Sequence, residues 1–82
     1  MQRKPLTIRQ ERAYRILVDF VKMERRPPSY SELGLRLGYS SPSSVKKMLD
    51  QLENKGWVRR QDTGKVKREV WPVDVKVPKV QI

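Results

Sequence analysis

Three helix-start signals stand close together in the first half of the chain, and their spacing governs what it can fold into. Thr7 with Gln10, and Ser29 with Glu32, show the Ser/Thr-x-x-Glu/Gln spacing in which two side chains satisfy each other's backbone N–H groups. Ser41 supplies the third start, with Pro42 at the first helical position, where a missing N–H costs nothing. Behind the first start, Ala13, Ile16, Leu17, Phe20, Val21 and Met23 recur at three- and four-residue steps. This is an amphipathic helix of about four to five turns, which Pro27-Pro28 brings to an end. Arg9, Arg12, Arg15, Lys22, Arg25 and Arg26 fall on its other face, as a solvated surface would.

The second helix, started at Ser29 and carrying Leu33 and Leu37 at an i, i+4 interval, is only about two turns long, with Gly38 placed as a left-handed cap. Gly34 inside it marks close approach of the next helix. Val45, Met48, Leu49 and Leu52 give the third helix its apolar stripe, and Gly56 closes it. Two short helices joined by a Gly-containing turn make a helix-turn-helix. On a helical wheel Ser43 and Lys47 lie opposite the core stripe, with Ser44 and Lys46 on the flanks. Trp57 to Arg60 and Val66 to Val73 then read as two strands around Asp62-Thr63-Gly64, a β-hairpin. Residues 55–68 hold six basic side chains against one acid, half of the net charge of +10. A hairpin so charged is a wing and not core. The expected fold is mostly α with a small β-hairpin. Residues 1–6 form an arm, 7–73 the domain and 74–82 a tail that alternates Val75 and Val77 with polar residues.

The chain has 82 residues, one small domain, with no cysteine and no histidine. Disulfides, thiolate metal sites and the commonest general base are therefore absent. The nine carboxylates are scattered, and no Gly-rich phosphate loop occurs. No enzyme activity, no metal and no cofactor is expected. No apolar stretch approaches the ~20 residues that span a bilayer, so no membrane partner is expected either. The charge points to a polyanion. An α-helix fits the major groove of B-DNA, and residues at its N-terminal end reach base edges first. Ser41, Ser43, Ser44, Lys46 and Lys47 are the base-reading candidates, with the lysines suited to guanine O6 and N7. Ser29 and Ser31, at the start of the second helix, are phosphate candidates because helix N-termini attract anions. Arg59, Arg60, Lys65, Lys67 and Arg68 of the hairpin complete that set.

The chain resembles the DNA-binding domain of LexA-type repressors. The resemblance rests on Leu6-Thr7 with Arg9-Gln10, Pro27-Pro28-Ser29 with Glu32-Leu33, Arg36-Leu37-Gly38, Ser41-Pro42-Ser43-Ser44-Val45, Leu49, Leu52-Glu53 and Lys55-Gly56. It implies a winged helix-turn-helix of three helices plus a two-stranded wing. It further implies operator reading by the start of the third helix and backbone contact by the wing, around Gln61 to Arg68. LexA-type repressors continue into a second, dimerising and self-cleaving domain, to which nothing in these 82 residues corresponds. The reading is therefore a standalone regulator that binds double-stranded DNA, in the cytoplasm of a bacterial cell and carried by a virus or plasmid. Weak homodimerisation on DNA is expected, through the tail or the wing. The alternative is an adaptor gripping a protein of the transcription or replication machinery, with Trp57 and Trp71 as its anchors.

Overall fold

The computed structural model describes residues 3–61 and 69–75. Helices α1 (Ile8–Glu24), α2 (Tyr30–Leu37) and α3 (Pro42–Asn54) precede strands β1 (Val58–Gln61) and β2 (Glu69–Pro72). The strands pair antiparallel, with Val58 opposite Pro72 and Gln61 opposite Glu69. This is the winged helix-turn-helix expected from the sequence. The seven residues that join β1 to β2, Lys65, Lys67 and Arg68 among them, lie outside the described residues.

Both capping boxes form. Thr7 Oγ1 accepts from the Gln10 N–H at 3.2 Å while Gln10 Oε1 accepts from the Thr7 N–H at 3.0 Å. Ser29 and Glu32 do the same for α2. Gln10 also reaches out of its helix. Its Nε2 donates to Gln51 Oε1 at 3.0 Å and its Oε1 accepts from Lys55 Nζ at 2.6 Å. A buried amide is thus satisfied while it ties the start of α1 to the end of α3.

The core forms where α1, α3 and the hairpin meet. Leu17, Val45, Leu49 and Leu52 are buried completely, and Leu33 is the contribution of α2. A Cβ built on Gly34 would lie 3.2 Å from Val45 Cγ2 and 3.6 Å from the Tyr39 carbonyl. The missing side chain therefore lets α2 cross α3 closely, as the sequence suggested. Gly38 takes the left-handed conformation, φ 76°, that ends α2.

Several details depart from the sequence reading. α1 stops at Glu24, ahead of the prolines, because Arg25 adopts a left-handed conformation, φ 58°, and donates its N–H to the Val21 carbonyl. Met23, expected on the apolar stripe, is exposed. Residues 3 and 4 of the arm and Asp74 of the tail are built into the domain. Lys4 N–H donates to the Lys55 carbonyl at 2.9 Å and Trp57 Nε1 donates to the Lys4 carbonyl at 2.7 Å. Arg3 forms a two-pronged ion pair with Asp74, at 3.0 and 2.7 Å, and its guanidinium lies 4.7 Å from the Trp57 ring centre. Tyr14 donates its hydroxyl to Asp74 Oδ2 at 2.6 Å and packs edge-on against Trp57.

These contacts have a pH signature. Asp74 is held below its usual 3.8 by Arg3 first and by Tyr14 second. Glu32 falls from 4.5 to about 2, chiefly through the Arg26 guanidinium bonded to it at 2.7 Å. Both pKa values are lower folded than unfolded, so the stability they contribute is present above the unfolded values and is lost as pH falls through the folded ones. Burial, then the bond to Asp74, raises Tyr14 to about 12, so its contribution is present below pH 10 and fades above it. Thermal melts across pH should show stability declining from about 4.5 toward about 2. The Asp74→Asn and Glu32→Gln double variant should flatten that decline. An unchanged acid limb would place the dependence elsewhere.

Candidate nucleic-acid interface

The four apolar residues of α3 face inward, and this sets what the opposite side offers. Val45, Met48, Leu49 and Leu52 are buried, and Ser43, Ser44, Lys46 and Lys47 are exposed. Ser41, half-buried, is the N-cap: its Oγ accepts from the Ser43 N–H at 3.2 Å and lies 2.6 Å from Ser43 Oγ. The start of α3 thus carries small hydroxyls close to the backbone, followed one turn on by two amines. Such a surface lets a helix backbone approach a groove floor and hold out both donors and acceptors.

A crevice of about 550 Å³ runs beside this face, lined by Arg9, Tyr39, Ser40, Ser44, Lys47 and Gln51 among others. Arg9 comes from the first turn of α1, and its guanidinium lies 5.8 Å from the centre of the Tyr39 ring. Sequence reasoning gave Arg9 to the solvated face. The overlooked signal was its position, since a cation in a first turn opposes the helix dipole and gains nothing for the helix. Placed beside Lys47, it extends the positive surface along one flank of α3.

The phosphate candidates divide. Arg59 is exposed on β1. Ser31 is exposed at the start of α2, but Ser29 is committed to its capping box. Its N–H donates to Glu32 Oε1 and its Oγ accepts from the Glu32 N–H. The Glu32 carboxylate already occupies the anion position at this helix end. Arg60 requires a correction. Its side chain is only 11% exposed, with Nη2 2.6 Å from Asp50 Oδ1 and Nη1 3.2 Å from Glu53 Oε1. Strand alternation turns Arg60 toward α3, on the same side as buried Val58, and its charge is spent inside the domain. Lys65, Lys67 and Arg68 fall outside the described residues.

Among the described residues no group of three carboxylates could hold a metal ion. Among those residues, too, no helix is long and apolar enough to cross a membrane. Trp71 is buried, and Trp57 is half-buried beneath Arg3, its ring nitrogen already bonded. Among the described residues the large exposed apolar side chains are Ile8, Met23 and Leu35, spread over two helices.

Residues 3–65 match the LexA DNA-binding domain. The chain is 40% identical over 58 residues to the LexA repressor of Desulforamulus reducens, covering 71% of this chain and 27% of that protein. It is 40% identical over 60 residues to the LexA repressor of Staphylococcus aureus, covering 73% of this chain and 29% of that protein. With the LexA repressor of Streptomyces coelicolor the identity is 46% over 55 residues, covering 67% and 24%. The chain thus matches about a quarter of the length of these relatives.

Proposed function

Because the chain belongs to the LexA DNA-binding domain family, we propose that it binds double-stranded DNA sequence-specifically and regulates transcription as a repressor. α3 enters the major groove with Ser41, Ser43, Ser44, Lys46 and Lys47 toward the base edges. The observation that carries this reading is the outward face of α3, where hydroxyls and two amines stand opposite a fully buried apolar stripe. Arg59 and the hairpin's Lys65, Lys67 and Arg68 neutralise phosphates, Ser31 hydrogen-bonds one through its hydroxyl, and Arg9 adds a further cation. No catalytic role enters, and the site of action is the bacterial nucleoid. A single domain of this size covers one half-site, and specific affinity usually requires two modules about one helical turn apart. Two copies meeting weakly on DNA would supply the second.

Selection of bound duplexes from a random pool tests the proposal. It should return a defined motif, arranged as paired half-sites. Lys47→Ala should then relax preference at one or two positions and cost about 1–3 kcal/mol on the best site. An equal loss on every sequence would make Lys47 a phosphate contact, and recovery of no motif would end the proposal.

A further inference from the structure

Asp50 stands on α3 one turn beyond Lys46, and it has the wrong sign for a helix that approaches phosphates. Its two oxygens go separate ways. Oδ1 is 2.6 Å from Arg60 Nη2 of β1, and Oδ2 is 3.6 Å from Lys46 Nζ. Arg60 is almost buried, so it cannot leave to meet DNA, and its second nitrogen is held by Glu53 at 3.2 Å. The pairing cancels a carboxylate that would otherwise repel the backbone. That same carboxylate reaches an ammonium on the base-reading face. A cation N-terminal to its acid is the poorer orientation at this spacing, so the Lys46 contact adds little to helix stability. A long lysine side chain with one fixed partner also samples fewer rotamers than a free one.

From this arrangement we infer that Asp50 is a specificity-determining positioning residue, which restricts the reach of Lys46 by anchoring its ammonium to a carboxylate fixed in turn by the wing strand. Asp50 touches no base. It narrows the set of bases and phosphates that Lys46 can meet, at the expense of total attraction for DNA. The inference rests on Lys46 reading bases.

The test compares Asp50→Asn, Glu53→Gln and Lys46→Ala in the full chain, using the selected duplex and its single-base variants across a salt series. Asp50→Asn should discriminate about fivefold less, or weaker still, at the positions Lys46 reads. Its slope of log affinity against log salt should steepen by about 0.9, as the freed ammonium neutralises one more phosphate. Glu53→Gln also weakens the hold on Arg60, yet should change neither quantity. In a Lys46→Ala background, Asp50→Asn should have no further effect on discrimination. Parental discrimination in Asp50→Asn, or the same loss in Glu53→Gln, would overturn the inference while leaving the proposed function standing. Unaltered discrimination in Lys46→Ala would remove both the base-reading role of Lys46 and the inference with it. If Asp50→Asn does not fold, Asp50→Glu serves. It keeps a charge for Arg60 but moves the carboxylate, so preference must change at the positions of Lys46 and nowhere else.

Discussion

Trp71→Ala is expected to lower the free energy of unfolding by about 3–5 kcal/mol, the cost of emptying a buried indole site. Trp71 is only 4% exposed, bonds Glu69 Oε1 through its ring nitrogen at 3.1 Å, and pairs with Arg59 across the sheet. It belongs to the same cluster as Leu17 and Leu49, and with Val70 and Pro72 it is one of three buried residues through which β2 packs on the domain. Small domains are stable by roughly 5–15 kcal/mol in all, so the variant should sit near the edge of folding. Urea denaturation measures the loss. At temperatures where the variant still folds, a loosened hairpin should also flatten the salt dependence of DNA binding. A loss below about 1 kcal/mol would mean that the hairpin is anchored some other way.

Leu49→Ala is expected to cost about 2–5 kcal/mol, and to leave the ranking of DNA sequences alone. Leu49 is 1% exposed on the inward side of α3, whereas Ser43 and Lys47 project from the outward side. The cavity therefore lowers the folded fraction without altering which side chains face the groove. Denaturation gives the stability, and competition between duplexes at a temperature below the melt gives the ranking. A changed ranking would show that the seat of the helix, more than its outward side chains, sets preference.

The parts that could be read from the sequence are those set by neighbours three or four residues apart. The boxes at Thr7 and Ser29, the cap at Ser41 and the stripe from Val45 to Leu52 are all local, and each formed as its spacing required. Gly34 was legible for a related reason, since a glycine inside a short helix has few uses besides close packing. Arg60 was not legible. In sequence it is one of a run of cations beside a turn; strand alternation puts it on the side of Val58, but the partners that hold it there, Asp50 and Glu53, lie one helix earlier. Arg9 was missed likewise, because its neighbour Tyr39 belongs to a different element. The left-handed Arg25 gives no signal at all, as arginine has no preference for that conformation. Arg3 and Lys4 of the arm are held in place by Trp57, Lys55 and Asp74, partners from the far end of the domain that no local spacing announces.

That last set of contacts brings residue 3 and residue 74 within 2.7 Å of each other at their side chains. The domain therefore enters and leaves at one place, like a stem with a single attachment point. A short splice between these positions would close the path at little entropic cost, and new termini could open in the exposed turn at Ser40. Grafted into a host loop, the same domain would ask its host for only a narrow gap. A load applied between entry and exit would reach the Arg3–Asp74 pair before it reached the helices, so the fold is wired to give first at its stalk.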